Sequence, residues 1–379
     1  MMAEIVILPF PSEFALGGLF DTAAFAEGHL AWFETLACTT LSRDERGVLV
    51  VALDEGRPKA VLPLVRTREG LRALTAPYTT RYAPPLPDVR VARELGLRAR
   101  EYVPGTLRLD GIDPQDAGAE AFLQGLCSSG LVTAHYQSFA NWYEPVTDFE
   151  SWWEQRPSRL KATVRRKLSA AMKQGATLRC LRDGFDDAVA AYQAIHGGSW
   201  KDAEPHPEFI ASMVRALGPE GLVRIGIMTL AGRAVAAQIW LVCDCRATIF
   251  KLAHREDAAE YSPGTLLTHH MAETLIREDH LTEIDFGRGD DAYKRDWLGL
   301  ARARIGVIAG DWRKRTGIAA IVEDVLPTRL GSLMRGFGRH SPAIRDGSVA
   351  ARPARVLSLT RLGRMTPGVG PAYGAAVES

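Results

Sequence analysis

Cysteine patterns, long hydrophobic runs and an excess of one charge are what this sequence lacks. The five cysteines are Cys38, Cys127, Cys180, Cys243 and Cys245. Their number is odd, and no CxxC pair or histidine at ligand spacing accompanies them, which argues against a disulfide framework and a zinc cluster. The longest uncharged apolar run, residues 234–243, is about half the length that spans a bilayer. The sequence therefore predicts no metal site and no transmembrane segment.

A secretion signal is also missing from the start of the sequence. Residues 1–14 carry no basic segment ahead of their short apolar run, so a Sec signal peptide is not expected. Together with the scattered cysteines, this predicts a protein of the reducing cytoplasm.

Net charge is close to zero, but the charges are unevenly distributed. The 379 residues include 46 Lys+Arg and 45 Asp+Glu, and 46% are hydrophobic, as expected for a globular protein of two or three domains. Between Gln155 and Arg182 there are nine basic residues and no acidic one. From Pro327 to the end there are eight arginines against Asp346 and Glu378. We interpret residues 327–379 as a poorly ordered basic tail, with contact to an anionic surface as its alternative role.

Two β-hairpins are predicted at corresponding places in the two halves of the chain. The apolar runs 47–53 and 58–65 are separated by four residues of turn chemistry that include Gly56. The runs 222–230 and 234–242 flank a similar turn at Gly232, 176 residues later. Because the turns match, the same shift can be applied to the rest of the chain as a test for internal duplication.

The shift of 176 residues aligns most of the other predicted elements. A helix over 20–36 falls on one near 207–217, and a helix after Asp113 falls near 290–297. Strands over 102–109 and 131–139 fall near 281–286 and 305–311. We therefore predict an α/β (α+β) protein of two related lobes, each a mixed central sheet flanked by helices, with the junction near 145–155.

The basic window is predicted to be a helix that links the lobes. Ser158 is an N-cap candidate, Gly175 supplies the stop, and four apolar residues recur every fourth position. These residues are Leu160, Val164, Leu168 and Met172. The other faces of this helix, 158–174, carry cations without counter-charges in the sequence, which is compatible with a solvated face or with an anionic ligand such as a phosphorylated cofactor.

A strand–loop–helix arrangement in the second half is typical of a phosphate site. Residues 248–253 are predicted to be a strand, and Ser262 and Pro263 open a helix that runs to about Arg277. Free amides in the first turn, beside Gly264, and the helix dipole would both favour a phosphate. This pattern is common, so it is weak evidence by itself.

Motifs in the second half resemble the CelD/BcsL-like acyltransferases of the GNAT superfamily, which are related to the FemAB-type peptidyl transferases. The resemblance lies in Tyr261-Ser-Pro-Gly264, in Asp285-Phe-Gly287 and in Tyr293-Lys294-x-x-Trp297. It extends to Arg165-Arg-Lys167, Ser199-Trp200-Lys201 and Leu62-Pro-Leu64, and covers residues 5–312. It implies two acyltransferase-like lobes: a degenerate N-terminal lobe over 1–150 and a catalytic C-terminal lobe over 151–326.

The resemblance implies acetyl-CoA or another acyl-CoA as co-substrate. The pantetheine arm would pair with the backbone of the strand before the phosphate helix, and the pyrophosphate would lie on the helix start. The implied donor-binding residues are Phe250, Lys251, Leu252, Ala253, Ser262, Gly264 and Thr265. An aminoacyl-tRNA donor, as in FemAB relatives, stays open.

The resemblance also implies direct attack by an acceptor amine, without a covalent acyl-enzyme. Such a step needs a group that takes the amine proton, for which Asp285 and His254 are candidates, and a donor to the leaving thiolate, for which Tyr293 is the candidate. The candidate acceptor-binding residues are Trp200, Lys201, Lys294, Trp297 and Arg165. Structural roles are the alternative for these residues: a strand-end turn for Asp285, a structural histidine for His254, core packing for the aromatic rings, and a surface ion pair for Lys294.

Three functions follow from these motifs. The leading one is an N-acyltransferase, an N-acetyltransferase above all, that transfers a group other than an aminoacyl group to an amino sugar or an envelope or polysaccharide precursor. The second is an aminoacyl or peptidyl transferase that uses charged tRNA. The third is a non-catalytic scaffold in polysaccharide assembly. We expect only the C-terminal lobe to bind the donor, because the corresponding residues 78–88 of the first lobe are proline-rich and should form a loop.

Overall fold

The structure is a computed structural model, and it describes residues 3–11, 16–21, 23–199 and 201–330. Two subjects of the sequence analysis lie outside these residues. They are Trp200 and all of the basic tail beyond Leu330.

Twelve strands of the described residues form one continuous mixed sheet. They are β1 (Glu4–Phe10), β2 (Arg46–Asp54), β3 (Arg57–Arg66), β4 (Gly70–Ala73), β5 (Thr106–Ile112), β6 (Val132–Pro145), β7 (Thr177–Leu181), β8 (Val223–Leu230), β9 (Arg233–Cys243), β10 (Arg246–His254), β11 (Glu283–Arg288) and β12 (Leu300–Gly310). Their order in the sheet is β1-β2-β3-β4-β5-β12-β6-β11-β10-β9-β8-β7.

Helices connect the strands and cover the sheet. They are α1 (Gly17–Phe20), α2 (Leu30–Thr39), α3 (Val89–Leu97), α4 (Ala99–Tyr102), α5 (Ala117–Ser128), α6 (Phe149–Glu154), α7 (Ser158–Lys173), α8 (Phe185–Gly197), α9 (Pro207–Leu217), α10 (Pro263–Glu278), α11 (Lys294–Trp297) and α12 (Arg315–Ala320). Short 3₁₀ segments occur at Ala26–Gly28 and Glu256–Tyr261, and a π-helical turn, Ile321–Val325, follows α12. None of the described helices is long and apolar enough to cross a membrane.

The strand order shows an internal two-fold repetition. Counted from the two edges inward, β1 to β5 correspond to β7 to β11, and the final strands of the two halves, β6 and β12, pair with each other at the centre. In each half one neighbouring pair is parallel: β4 with β5, and β10 with β11. The two lobes predicted from the sequence are therefore present, and their sheets are fused into one.

The central strands are exchanged between the lobes. β12, from the second half, lies between β5 and β6, whereas β6, from the first half, pairs with β11 of the second. Residues of both halves consequently meet at the base of the C-terminal site. A shift by 176 residues aligns elements but carries no information about which strand pairs with which, so this exchange was not predicted.

The shift itself is visible in the strand starts. β3 begins at Arg57 and β9 at Arg233, while β4 begins at Gly70 and β10 at Arg246. Both predicted hairpins form, with antiparallel pairing of β2 with β3 and of β8 with β9. The corresponding helices α2 and α9 pack on each other, and Trp32 lies edge-on to Phe209 with ring centroids 5.5 Å apart.

Several predicted boundaries were wrong. The strand expected over 102–109 is helical to Tyr102 and extended only from Thr106, and the helix expected over 20–36 is broken into α1, a 3₁₀ turn and α2. In the linking helix α7, Pro157 rather than Ser158 occupies the N-cap, and Met172 is 56% exposed while Ala171 is buried. The helix advances about 100° per residue, so a strict four-residue row drifts off the buried face within three turns.

Candidate functional site

The site lies where β10 and β11 separate. These parallel strands pair only over residues 246–248 and 283–285. Beyond Thr248, β10 continues to His254 with pairing to β9 alone, and a bulge lies between Ile249 and Lys251. We call the resulting gap the C-terminal cleft. Its β10 side is a strand edge whose backbone groups are available to a ligand.

Glycines let the chain turn away from β10 at the end of β11. Gly287 and Gly289 have φ values of 64° and 108°, a region that side chains with a Cβ rarely adopt. A Cβ at Gly287 would also lie 3.2 Å from Thr80 Cγ2, in the loop between β4 and α3. This loop belongs to the first half, so the cleft is built from both halves of the chain.

The N-terminus of α10 lies beside the same part of β10. Pro263 occupies the first turn as predicted, but Ser262 adopts φ 51°, and its side chain makes no capping hydrogen bond. Gln238 fixes this turn to β9, since its Nε2 donates to the Gly264 carbonyl at 3.1 Å and to Thr268 Oγ1 at 2.7 Å. No side-chain oxygen therefore caps the first amides of α10. These amides and the helix dipole both favour an anion at this position.

Gly264 itself faces protein rather than a ligand. A Cβ built there would lie 3.4 Å from His254 Cδ2 and 3.7 Å from Leu252 Cδ1. The glycine therefore lets the helix approach β10 closely, while only its backbone amide points toward the helix entrance.

A cluster of charged side chains borders the cleft on the side of α8 and α9. Lys201 Nζ donates to the Leu252 carbonyl on β10. Lys251 Nζ lies 3.0 Å from both carboxylate oxygens of Glu204, and Tyr192 donates its hydroxyl proton to Glu204 at 2.9 Å. The Lys251 ammonium also lies 4.5 Å from the centroid of the Tyr78 ring.

Burial makes two members of this region proton acceptors near neutral pH. Burial, and next the charge of Lys251, lower the pKa of Lys201 to about 7. Burial likewise lowers the pKa of His254, whose Nδ1 lies 3.3 Å from the Arg255 carbonyl oxygen. Both groups are neutral in a substantial fraction of molecules at neutral pH, and a neutral amine or imidazole can take a proton.

Asp285 is enclosed in an ion network at the base of the cleft. Its Oδ1 accepts hydrogen bonds of 2.6 Å from Asn141 Nδ2 and from the Gly287 amide. Its Oδ2 lies 2.8 Å from Arg302 and 3.3 Å from Arg81. Burial alone would raise the pKa of Asp285, but Arg81, Arg302, Arg304 and the Asn141 hydrogen bond together lower it below the ordinary aspartate value.

This environment suits Asp285 for holding the lobes together. Arg81 and Asn141 come from the first half, and Arg302 comes from the exchanged strand β12. A carboxylate with four donors and a lowered pKa is a poor base, because its lone pairs are already occupied.

Two residues of the motif after β11, Tyr293 and Lys294, have different environments. Lys294 is 2% exposed; its ammonium donates to the Arg288 carbonyl at 2.7 Å and pairs with Asp291 at 3.3 Å. Burial lowers the pKa of Lys294, and Asp291 offsets this in part. Tyr293 lies against Phe286, with ring centroids 6.3 Å apart.

Other predicted binding residues have structural environments. Trp297 is 4% exposed and stacks on Trp152, with centroids 6.1 Å apart, so its ring belongs to the core rather than to an acceptor wall. Phe250 is buried edge-on to Trp32, which leaves only its backbone for a donor. Arg165 is exposed on α7.

The basic helix α7 passes close to the start of α10. Lys167 Nζ donates to the Glu260 carbonyl, and Arg159 pairs with Asp296 at 2.7 Å. Within the described part of the chain, no carboxylate pairs with Arg165, Arg166 or Lys173. The expectation that α7 has no counter-charge is thus wrong for Arg159.

Sequence reasoning missed the partners that hold this site. Glu204, Arg81 and Asn141 stand in segments without a recognisable motif. Asn141 reaches the cleft through the exchanged strand β6, Arg81 through the loop after β4, and Glu204 through the segment between α8 and α9. The one usable signal was local: Glu204 follows Lys201 by three residues. Among the described residues, no group of three or more potential metal ligands converges.

Comparison with known proteins agrees with this geometry. Residues 158–295 match the family model described as an acetyltransferase (GNAT) domain. No curated protein sequence matches the chain. The fold is similar to the crystal structure of FemX, with 13% identity, a TM-score of 0.57, and coverage of 81% of this chain and 96% of that one.

Two further solved structures share the fold. L-PGS from Bacillus licheniformis is 12% identical with a TM-score of 0.52, over 86% of this chain and 97% of that chain. The C-terminal domain of a putative lysylphosphatidylglycerol synthetase from Agrobacterium fabrum is 14% identical with a TM-score of 0.50, over 80% and 93%. At these identities the likeness concerns the fold alone.

The chain has the FemAB-like tandem GNAT fold, and its second half carries a GNAT-type acyltransferase domain. The prediction of a GNAT-type fold in two lobes, and of the fold class, is therefore confirmed.

Proposed function

We propose that this protein is an acyl-CoA-dependent N-acyltransferase, and specifically an N-acetyltransferase, whose acceptor is an amino sugar or a related envelope or polysaccharide precursor. The observation that carries the proposal is the C-terminal cleft. It combines an unpaired strand edge at residues 249–254 with the start of α10, which has no side-chain cap.

The donor would be held by backbone groups. The free edge of β10 offers hydrogen bonds to the amides of a pantetheine arm, and the Gly264 and Thr265 amides offer a site for its pyrophosphate. Bound acyl-CoA would supply an activated thioester. Lys201 presently donates to the Leu252 carbonyl on this edge, so the lysine must leave that oxygen when a donor amide pairs with it.

Lys201 and His254 are the proposed proton acceptors for the attacking amine. Both lie beside the donor edge, and burial lowers the pKa of each, so that a neutral form exists near pH 7. Asp285 is assigned a positioning role, because its oxygens are occupied by Arg81, Arg302, Asn141 and the Gly287 amide.

Tyr293 remains the proposed donor to the leaving thiolate. It is the N-cap residue directly before the short helix α11, and it packs on Phe286 of β11. Lys294 is assigned to the turn after β11, which it holds through the Arg288 carbonyl and Asp291. A fixed turn keeps the Tyr293 hydroxyl in one place, as proton transfer requires.

An aminoacyl transfer from charged tRNA is the second candidate, and the cations of α7 favour it. Arg165 and Arg166 are exposed and have no carboxylate partner among the described residues, as a phosphate-binding surface would require. The shared fold with FemX and with a protein named as a putative lysylphosphatidylglycerol synthetase is compatible with this candidate.

Calorimetry and a thiol-release assay separate the two candidates. Acetyl-CoA should bind to the purified protein, and free thiol should appear with an amino-sugar or amine acceptor from a panel. Arg165→Gln/Arg166→Gln should leave acetyl-CoA binding unchanged. Absence of acetyl-CoA binding, together with salt-dependent binding of charged tRNA that the double variant abolishes, would establish the second candidate instead.

A further inference from the structure

An apolar stripe is exposed on the last described helical segment. Residues 315–330 are helical without a break, through α12, the π-helical turn and one more turn. Four side chains at four-residue spacing are exposed: Ile318 by 49%, Val322 by 59%, Leu326 by 45% and Leu330 by 59%. Single exposed apolar residues are ordinary, whereas a row of four marks an interaction surface.

The opposite side of this segment is fixed to the sheet. Val325 and Ala320 are buried, and Asp324 pairs with Arg108 of β5 at 2.5 Å. Arg329 Nε donates to the Thr133 carbonyl of β6 at 2.6 Å. The exposure of the stripe is therefore a consequence of a docked helix and not of a loose one.

The π-helical turn keeps the row of apolar residues straight. In an α-helix, a step of four residues overshoots one turn by about 40°, so a four-residue row winds around the helix. A π-turn holds more residues per turn and removes part of this drift. Because of the turn at Ile321–Val325, the four side chains point more nearly in one direction than an ideal α-helix would allow.

Positive charge and an exposed tryptophan lie at the start of the stripe. Trp312 is 57% exposed, and Arg313, Lys314 and Arg315 directly after it are exposed as well. None of these three cations pairs with a carboxylate among the residues that the structure describes. The sequence beyond Leu330 continues with seven arginines against Asp346 and Glu378.

We propose that the face formed by Trp312–Arg315, Ile318, Val322, Leu326 and Leu330 docks on an anionic lipid surface. Apolar side chains along one helix face, a tryptophan near one end and adjacent cations are what binding in the plane of a membrane interface requires. Nucleic acid would use the cations but would gain little from the aliphatic row. The lipid surface is therefore favoured over a polyanion.

Sedimentation of the full chain with vesicles tests the proposal. The protein should bind vesicles of phosphatidylcholine and phosphatidylglycerol, mixed roughly 2:1, much more strongly than vesicles of phosphatidylcholine alone. Val322→Glu/Leu326→Glu should weaken binding about tenfold or more, because two side chains no longer enter the interface. Replacing Arg313, Lys314 and Arg315 by Gln should weaken it roughly fivefold per residue.

The control is a matched pair of exposed apolar residues on a distant helix. Val89 and Leu97 of α3 are 49% and 48% exposed, so Val89→Glu/Leu97→Glu makes the same change outside the proposed face and should bind as the unaltered protein does. Both double variants should keep the melting temperature, since the altered side chains are exposed.

Three outcomes would overturn the proposal. One is an absence of binding to the anionic vesicles. Another is binding that depends on the three cations but not on Val322 and Leu326, which would indicate a purely electrostatic polyanion site. The last is a dimer in gel filtration that Val322→Glu/Leu326→Glu converts to a monomer, which would make the face a contact between two copies of the chain.

Discussion

The two lobes use the same strands to make two very different clefts. In the first lobe, β4 and β5 pair over residues 70–72 and 106–108 and then separate, as β10 and β11 do. The loop after β4 returns into this gap: the Tyr82 amide donates to the Gly111 carbonyl at 2.9 Å, and Tyr82 bridges to Ile112. The N-terminal cleft is thus filled by the chain's own backbone, in the place where the second lobe leaves a free edge.

The helices that follow β4 and β10 also differ at their N-termini: the start of α3 is capped, and the start of α10 is not. At the start of α3, the Asp88 carboxylate accepts a hydrogen bond from the Val91 amide at 3.0 Å, so a negative charge already occupies the anion position. The corresponding helix α10 has no such cap. The same arrangement of strands and helix is therefore closed in the first lobe and open in the second, and the difference depends on a few residues.

Removal of Tyr82 should have the largest effect on stability. Tyr82 is 2% exposed, and its hydroxyl donates to the Pro63 carbonyl at 2.8 Å. Tyr82→Ala should lower the free energy of unfolding by about 3–5 kcal/mol, measured in urea, because it leaves a large cavity in the closed cleft. Tyr82→Phe, as the control, loses only the hydrogen bond and should cost about 1 kcal/mol. If Tyr82→Ala lowers the free energy of unfolding by less than Tyr82→Phe does, the loop after β4 lies over the first lobe without stabilising it.

In the open cleft, Tyr293→Phe should act on catalysis instead. If the hydroxyl protonates the leaving thiolate, kcat should fall about 10²-fold with nearly unchanged donor affinity and stability. Tyr261→Phe is the matched control, since Tyr261 packs in the same apolar cluster. An unaltered kcat in the Tyr293 variant would leave this tyrosine as a wall of the site.

Lys201→Met should remove a pH dependence. Since the pKa of Lys201 is about 7, a proton acceptor at this position is lost as the pH falls below 7, and kcat/KM should fall with it. In the variant, the fall of kcat/KM below pH 7 should disappear. Relative to the unaltered protein, kcat/KM should be about 10²-fold lower above pH 8, and this difference should become smaller at lower pH. Lys173→Met, at an exposed lysine of α7, is the control.

Stability gives Lys201 an independent readout. The folded-state pKa lies below the ordinary lysine value, so the unfolded chain binds more protons between about pH 7 and 10, and stability should rise with pH over this window. Lys201→Met should remove that rise. A pH profile of activity that persists in the variant would assign the proton transfer to His254.

The fold was largely predictable because duplication leaves marks in local sequence. The turns at Gly56 and Gly232 specify hairpins by themselves, and their spacing reports the repeat. The strand exchange, in contrast, depends on which neighbour β6 and β12 pair with. The alternation of apolar residues along a strand determines which face is buried, and it does not identify the neighbouring strand.

The candidate site shows the same difference between what local sequence predicts and what long-range contacts determine. His254, Lys201 and the start of α10 were identified from local sequence, and all three lie beside the end of β10. Asp285 was predicted to be a base because it ends a strand. Its carboxylate is held by Arg81, Asn141 and Arg302, which come from other parts of the chain. The environment of a buried carboxylate is set by long-range contacts, which local spacing does not report.

The smallest expected effect is the most direct test of the contrast between the two helix starts. Asp88→Ala removes a side-chain oxygen that accepts from the Val91 amide and should lower the free energy of unfolding by about 1 kcal/mol. Ser262→Ala changes the residue at the corresponding N-cap, whose side chain makes no capping hydrogen bond. Serine and alanine share the same strain at φ 51°, so the free energy of unfolding should change by no more than about 0.5 kcal/mol.

Acetyl-CoA at saturating concentration should stabilise the Asp88 and Ser262 variants equally, because ligand on the α10 amides needs neither side chain. A cost at Ser262 as large as that at Asp88 would show that the serine caps α10 in solution, and the start of α10 would then be as closed to an anion as the start of α3.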